Sequence, residues 1–306
     1  MNHLLGIEHL CVEDIQLIFK YAAYYKRHIK HLKPKDQILA NKVVILFFCE
    51  PSTRTRISFE IAAKKLNADV INVATDTSSI RKGETLLDTL KTFEALEADF
   101  IVMRHAHSGV PHQLAPSLKS MLINAGDGAH EHPSQALLDA FTLQEALGSL
   151  KGKSISIIGD ILHSRVARSG LLIFKKLGAN VTLCGPETLL PSVFKQMGAK
   201  VTYNLKEALT DADIVNVLRI QRERESENFI KSIADYVKHY RVNETDLQHH
   251  AKHDLLICHP GPVNREIALT SKLMDSKCSC ILDQVTNGLF IRMAIFRFLY
   301  EKGARL

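Results

Sequence analysis

The stretch VVILFFCEPSTRTRISFE, residues 43–60, joins an apolar run to a turn rich in hydroxyl and guanidinium groups. Its first seven residues are uninterrupted apolar side chains, a length typical of a buried strand. Pro51 suits the start of a helix, and Ser52 stands at or near the helix N-cap. We therefore interpret the stretch as a strand of a parallel sheet, followed by the helix that leads to the next strand.

The same alternation of apolar runs and amphipathic segments continues along the 306 residues. Strand-like runs recur at residues 69–74, 99–105 and 120–126, and again at residues 153–160, 179–186, 212–219 and 254–262. Strands that alternate with helices indicate βαβ units and parallel sheets. We predict an α/β protein of two domains, each a parallel sheet flanked by helices, bridged by interdomain helices. The predicted boundaries are residues 1–132 plus 286–306, a bridging helix over 133–148, and residues 149–285.

Composition excludes several classes of protein. Hydrophobic residues make up 46% of the chain and charged residues 24%, and the longest apolar run is far too short to span a membrane. The net charge of +6 is spread along the chain and there is no Trp, which argues against a nucleic-acid binder. The six cysteines form no CxxC pair, and we interpret QHHAKH, residues 248–253, as an exposed helix face. We expect a cytoplasmic protein that uses no metal.

Polar loops follow the predicted strands. Each carries arginine, histidine or hydroxyl groups, and together they are EPSTRTR (50–56), RHAHSG (104–109), GDGAHEHP (126–133), GDILHSR (159–165), LRIQRER (218–224) and HPGPVNRE (259–266). In open α/β sheets, ligands bind beyond the carboxyl ends of the strands. Six such loops together predict a binding site there.

The loop at residues 52–55 is suited to an anion. The backbone N–H groups of a first helical turn lack intrahelical partners and, with the helix dipole, favour negative charge. Arg54 adds a planar fork that matches phosphate oxygens, and Ser52, Thr53 and Thr55 add short donors. Neither G-x-x-x-x-G-K-[ST] nor G-x-G-x-x-G occurs, so we expect a small phosphorylated molecule rather than a nucleotide.

Eight segments, in the order in which they occur along the chain, resemble the catalytic chains of the aspartate carbamoyltransferase family. These are FFCEPSTRTRISFE, TSSIRKGETLLDT, VMRHAHSG, INAGDGAHEHPSQALLD, IIGDILHSRVARS, VLRIQRER, CHPGPVNREI and QVTNGLFIRMA. The resemblance implies that carbamoyl phosphate binds the N-terminal domain and that L-aspartate then binds between the domains. It implies transfer without metal or cofactor, in a homotrimer whose active sites are shared between neighbouring chains.

The first set of site residues follows from this resemblance and from the chemistry of the reaction. An amine attacking a carbonyl develops a tetrahedral oxyanion, which fixed donors must meet. We expect Thr55, Arg104 and His132 to hold the carbonyl oxygen, with Arg54 as a further catalytic residue, and Gln135 to take the carbamoyl NH2. The remaining predicted contacts to carbamoyl phosphate are Ser52, Thr53, and the backbone carbonyls near Gly261 and Pro262, where HPGP replaces the HPLP of some relatives.

The second set serves the amino acid. Two carboxylates call for arginines, and Arg165 and Arg219 each follow a strand of the second domain, with Gln221 beside Arg219. The resemblance assigns Lys82 and a preceding serine to the active site of the adjacent subunit. Alignment on Lys82 selects Ser78, and Ser79 stays open.

Some alternatives remain open from the sequence. No side chain stands out as a general base, so we infer that the leaving phosphate accepts the proton. A carbamoyltransferase for another amino acid and a non-catalytic subunit of the same fold are the rival interpretations. The sequence leaves undecided whether the trimer joins regulatory chains or a dihydroorotase.

Overall fold

The computed structural model describes residues 3–29, 37–73, 83–220 and 232–303. The chain divides into two compact units. The first unit is Met1–Leu138 with Thr286–Leu306, and the second unit is Asp139–Val285. Each unit holds one parallel sheet flanked by helices, so the predicted fold class is confirmed. None of the helices in the described ranges combines the length and apolar character that crossing a membrane requires.

The first unit is built on a four-stranded sheet in the order β2-β1-β3-β4. Its strands are β1 Val43–Phe48, β2 Asp69–Val73, β3 Phe100–His105 and β4 Met121–Asp127. Its helices are α1 Val12–His28, α2 Thr53–Lys65, α3 Leu86–Ala95 and α4 Val110–Leu114, and α5 Pro133–Leu147 begins in this unit. All strand pairs are parallel, as the alternation of strands and helices in the sequence predicts.

The second unit is built on a five-stranded parallel sheet in the order β7-β6-β5-β8-β9. Its strands are β5 Ser154–Ile158, β6 Asn180–Cys184, β7 Lys200–Thr202, β8 Ile214–Val217 and β9 Leu256–Cys258. Its helices are α6 Arg165–Lys176, α7 Val193–Gln196, α8 Leu205–Leu209, α9 Ile233–Tyr240, α10 Glu244–His250 and α11 Ser271–Met274. The final helix, α12 Ile281–Gly303, begins in this unit and ends in the first.

The carboxyl-terminal part of α12 belongs to the core of the first unit. The ring of Phe296 packs edge-to-face on Phe59 of α2 and Phe100 of β3, with ring centroids 5.9 and 5.3 Å apart. Fully burying such a side chain stabilises the fold by about 1.5–3 kcal/mol. These contacts explain why the last 21 residues of the chain join the unit that the first 138 form.

Both sheets wind outward in two directions from their first strand. The chain places β2 on one side of β1 and then β3 on the other, and it places β6 and β8 on opposite sides of β5. Each sheet therefore has a switch point, between β1 and β3 in the first unit and between β5 and β8 in the second. Ligands of open α/β sheets bind at the carboxyl edge of such a point.

An aspartate fixes the strand register at each switch point. Asp99 precedes β3, and its carboxylate accepts from the backbone N–H of Val43 at 2.9 Å and from Lys42 Nζ at 2.9 Å. Asp213 precedes β8 in the same way, accepting from the N–H of Ser154 at 2.8 Å and from Lys252 Nζ at 3.0 Å. In both units the carboxylate satisfies the first N–H of the neighbouring strand, so the two strands start level.

We predict that Asp213→Asn destabilises the second unit in a pH-dependent way. Burial raises the pKa of Asp213, but the Ser154 N–H and Lys252 outweigh it and hold that pKa below its usual range. A lowered pKa in the folded state means that the contribution is complete above the unfolded pKa of about 3.9. It is lost as the pH falls through the folded pKa. Urea midpoints should therefore differ between wild type and variant at pH 7, and the difference should be smaller at an acid pH below the unfolded value of about 3.9, as the folded pKa is approached and passed.

The matched control is Asp254→Asn, whose carboxylate is fully exposed. It should leave the midpoint unchanged at either pH. If Asp213→Asn lowered the urea midpoint equally at both pH values, the charge of this carboxylate would not contribute to the stability of the second unit.

Candidate active site

The loop after β1 begins α2 as predicted, with Ser52 at the N-cap in an extended conformation. The Ser52 hydroxyl makes no capping hydrogen bond to the helix, although its carbonyl accepts from the N–H of Arg56 at 3.2 Å. Thr53 and Arg54 are exposed, and Thr55 is buried. Because the hydroxyl does not cap the helix, the backbone N–H groups of the first turn are available to bind an anion.

Arg104 lies at the carboxyl end of β3, directly beside that loop, because Phe48 and Arg104 are paired in the sheet. Its Nη2 donates to Glu50 Oε1 at 3.3 Å, and its Nη1 donates to the carbonyl of Ala125 at 3.4 Å. The Arg104 side chain is only 13% exposed. The guanidinium is therefore held at the switch point of the first unit by contacts to both neighbouring strands.

His132 and Gln135 stand where the chain enters α5. His132 is buried, and its carbonyl accepts from the N–H groups of Gln135 and Ala136 at 3.0 and 3.2 Å. Its Nδ1 lies 3.5 Å from the Ser134 hydroxyl, and Gln135 is buried in the first turn of the helix. The structure therefore brings the strand ends that carry Ser52, Arg104 and His132 to one edge of one sheet, since β1, β3 and β4 are neighbours.

In the second unit the two predicted arginines follow neighbouring strands. Ser164 caps α6 by accepting from the N–H of Ala167 at 3.2 Å, and Arg165 is the first residue of that helix. Arg165 is buried, whereas Arg219, just beyond β8, is half-buried. Because β5 and β8 pair across the switch point, both side chains originate at the same edge of the sheet.

A close backbone approach shapes this edge. Gly159 follows β5 with φ of 135°, and a Cβ there would lie 2.8 Å from the carbonyl oxygen of Leu218. A Cβ on Gly185, beyond β6, would lie 2.3 Å from the carbonyl of Gly159. Glycine at both positions lets three strand ends meet without side chains between them.

The loop after β9 contains the last predicted contacts, Gly261 and Pro262. Its first residue, His259, is buried, and its Nδ1 accepts from the N–H of Gly261 at 2.7 Å. The N–H of His259 donates to Gln284, whose amide donates to Asp139 at 2.6 Å. This chain of buried hydrogen bonds fixes the loop beside β8.

Four predicted positions lie outside the described residues. They are Ser78, Ser79, Lys82 and Gln221. Their roles stay predictions.

Sequence reasoning missed two residues that lie beside the predicted site residues, Glu50 and Asp127. Glu50 is the ion-pair partner of Arg104. Its role could have been predicted if β1 and β3 had been recognised as neighbouring strands, because Glu50 follows β1 and Arg104 lies at the end of β3. Asp127 is completely buried at the end of β4 and accepts from the N–H of Gly109 at 2.7 Å. Burial raises its pKa, but hydrogen bonds from His130 and Asn124 outweigh this and hold the pKa below its usual range.

The fold is that of a two-unit α/β protein, and Ser52, Arg104, His132, Arg165 and Arg219 all lie at or just beyond the carboxyl ends of its strands. Residues 2–145 match the family described as "Aspartate/ornithine carbamoyltransferase, carbamoyl-P binding domain", and residues 151–299 match its "Asp/Orn binding domain". The chain belongs to the aspartate/ornithine carbamoyltransferase family and is a transferase of carbamoyl groups.

Relatives within the family are similar over nearly the whole chain. An aspartate carbamoyltransferase catalytic subunit from Endomicrobium trichonymphae is 48% identical, covering 98% of this chain and 96% of that one. Aspartate transcarbamoylase from Trypanosoma cruzi, solved with carbamoyl aspartate and phosphate, matches with a TM-score of 0.87 and 28% identity over 97% of this chain and 95% of that one. An ornithine carbamoyltransferase from Pyrococcus furiosus matches with a TM-score of 0.86 and 27% identity, over 96% of each chain. Backbone similarity alone therefore does not choose the amino acid.

We predict that Gly159→Ala disturbs the carboxyl edge of the second sheet, where Arg165 and Arg219 lie. The added Cβ would meet the Leu218 carbonyl, one residue before Arg219, so the strand end must shift. We expect a loss of roughly 1–3 kcal/mol in unfolding free energy from the strained conformation. The Michaelis constant for the amino acid substrate should also rise.

Gly152→Ala is the matched control, because Gly152 also has a positive φ, 76°, but nothing lies within 4 Å of its Cβ position. This variant should also lower the free energy of unfolding through backbone strain, but its Michaelis constant for the amino acid should equal that of wild type. The same Michaelis constant in both variants would contradict the role given to the close approach.

Proposed function

We propose that the chain transfers the carbamoyl group of carbamoyl phosphate to the amino group of L-aspartate. The products are N-carbamoyl-L-aspartate and phosphate, in de novo pyrimidine biosynthesis. The observation that carries the choice of aspartate is the pair of arginines, Arg165 and Arg219, at the switch point of the second unit. Two guanidinium groups match two carboxylates, whereas an amino acid with a basic side chain would need acidic groups there.

Carbamoyl phosphate is assigned to the first unit. Its phosphate would meet the first turn of α2, with donors from Ser52, Thr53 and Arg54, where the helix dipole also favours negative charge. Its carbonyl oxygen would accept from Thr55, Arg104 and His132. The support is that these donors follow β1, β3 and β4, three strands adjacent in one sheet.

The neighbours of these donors account for their orientation. Glu50 and the Ala125 carbonyl hold the Arg104 fork from two strands, so it needs little reorganisation when the oxyanion forms. Gln135, in the first turn of α5, would accept from the carbamoyl NH2, and the backbone carbonyls at Gly261 and Pro262 would accept from it too. Such fixed donors and acceptors contribute most when they match the transition state rather than the substrate.

The aspartate site combines Arg165 and Arg219 with Gln221 and Lys82. Arg165 is buried at the start of α6, an environment with little screening, where a bidentate carboxylate contact is strong. The amino group of aspartate attacks the carbonyl carbon, the C–O bond to phosphate breaks, and the leaving phosphate takes the proton. Positioning and fixed charge then supply most of the rate enhancement.

A homotrimer with shared sites is part of the proposal, with Ser78 and Lys82 reaching the neighbouring chain. The first unit has an apolar surface that suits a second copy: Ile57 and Ile61 lie one turn apart on α2, and Ile71 lies on the edge strand β2. These three side chains are 41–50% exposed. Glu60 on α2 accepts from Asn72 on β2 at 3.0 Å, which ties the two elements into one surface. Exposed apolar patches of this kind mark interaction sites.

A cytoplasmic location is also proposed. All six cysteines are free, which suits a reducing compartment. Burial raises the pKa of Cys184 to about 12, so that thiol is protonated and inert at neutral pH.

The direct test is carbamoyl transfer measured with a panel of amino acids. We expect turnover with L-aspartate and none with L-ornithine, because Arg219 would face an ammonium group. His132→Ala should lower turnover with L-aspartate by on the order of 100-fold or more, the cost of losing one oxyanion donor.

The control for that assay is His253→Ala, whose ring is fully exposed in the second unit, and it should keep wild-type turnover. Faster turnover with another amino acid would overturn the substrate assignment. Unchanged turnover in His132→Ala would remove that residue from the site.

Shared sites predict recovery of activity on mixing two inactive variants. Arg54→Ala removes a phosphate contact and Lys82→Ala removes the residue donated to the neighbour, so a mixed trimer contains some intact sites. We expect partial activity after the two are unfolded and reassembled together, in a species that sediments as a trimer. A trimer without recovered activity would mean that each site is self-contained.

A further inference from the structure

Two histidines and one aspartate that the reaction does not use converge at the carboxyl end of β4. His112 lies on the short helix α4, Asp127 ends β4, and His130 lies in the turn that follows. One ligand atom from each residue lies within 4.8 Å of the others. The two imidazole rings are 4.9 Å apart, centroid to centroid, and meet edge to face.

We propose that His112, Asp127 and His130 bind a divalent transition-metal ion of the zinc class. Imidazole with a carboxylate is a donor set that suits zinc and its neighbours, whereas Mg²⁺ and Ca²⁺ prefer all-oxygen sites. Three protein ligands leave the fourth tetrahedral position to water.

The distances are close to those of a metal site. Zinc–nitrogen and zinc–oxygen bonds of about 2.0–2.2 Å place the ligand atoms of a tetrahedral site roughly 3.4 Å apart. His130 Nδ1 and Asp127 Oδ2 are already 3.0 Å apart. The ligand atom of His112 lies within 4.8 Å of both, so side-chain rotation of this ring would complete the set. Binding replaces the His130–Asp127 hydrogen bond with two metal bonds and releases any proton carried on that ring nitrogen to solvent.

The ring of His112 supplies a second, independent observation. Its Nδ1 is buried and has no hydrogen-bonding partner among the described residues. A buried polar atom in this state costs free energy and calls for an explanation. A metal bond at this nitrogen would satisfy it.

The carboxylate is fixed by surrounding donors in the way that metal ligands commonly are. Asp127 Oδ1 accepts from Asn124 Nδ2 at 2.8 Å and from the N–H of Glu131 at 3.1 Å, while Oδ2 accepts from the N–H of Gly109 at 2.7 Å. Such outer contacts orient a ligand before the ion arrives. The bound ion would tie α4, β4 and the turn at 128–130 together, two residues before His132.

The test is a titration of the chelator-treated full chain with ZnCl2, followed by calorimetry, and with CoCl2, followed by visible absorption. Wild type should bind one equivalent of either ion, and the cobalt form should show the intense bands of tetrahedral coordination. The unfolding temperature should rise with zinc, because the ion binds only the folded chain. His112→Asn and His130→Asn should each weaken binding by more than about 100-fold, beyond the loss typical of an outer contact.

His249→Asn is the matched control, since the exposed His249 also lies beside a second histidine, the half-buried His250 on α10, with ring centroids 6.2 Å apart. This variant should bind like wild type. Loss of binding in His249→Asn with retention in His112→Asn would overturn the proposal, as would a wild type that binds no ion. If His112→Asn and His130→Asn both misfold, the cobalt spectrum of wild type still tests the proposal. Weak octahedral bands would contradict a site made of these three ligands.

Discussion

Two half-buried carboxylates set the geometry on which the rest of the structure depends. Asp99 and Asp213 each bind the first N–H of the neighbouring strand at the point where the sheet changes direction. Because the strands start level and are of similar length, their carboxyl ends also come out level. The loops after β1, β3, β5 and β8 leave from those ends, so the register of these two strand pairs decides where their cationic side chains lie.

The chemistry follows from this alignment. Both proposed substrates are anions, and the described donors come from a helix start, a held guanidinium and a buried imidazole rather than from flexible side chains on the surface. Arg104 illustrates the principle, because contacts to Glu50 and Ala125 fix its fork before any substrate arrives. Fixed charge of this kind lowers a barrier without a dedicated acid–base pair. A metal ion bound at the proposed site would likewise hold in place the turn that precedes His132.

Much of this could be predicted from the sequence because the signals are local. The apolar run at 43–49, Pro51 and the hydroxyl cluster predict a strand and a helix start, and the structure has β1 and α2 there. The stripe of apolar residues over Gly288–Tyr300 predicts a last helix of that length from the sequence, and this is too short because α12 begins at Ile281. Its first turn carries exposed residues, and the buried residues beyond it occupy more than one face, so a single apolar stripe underestimates the helix.

Other features depend on contacts between residues far apart in sequence, and local patterns do not reveal them. The Arg104–Glu50 pair spans 54 residues and exists only because β1 and β3 are neighbours. The His112–Asp127–His130 cluster likewise requires α4 to lie beside the end of β4, and its three residues have no familiar metal-binding spacing. The burial of Arg165 is set by its position at the start of α6, whereas the loop alone suggests an exposed cation.

The central proposal is that each unit presents cations and hydroxyls at its strand ends to one of two anionic reactants. Calorimetric titration with N-phosphonacetyl-L-aspartate, which joins both anions in one molecule, tests it most directly. We expect saturable binding by wild type. Binding should be strongly weakened in Arg54→Ala and in Arg165→Ala, because each variant loses a main contact to one of the two anionic groups. Absence of heat with folded wild-type protein, or equal binding by all three chains, would contradict the account.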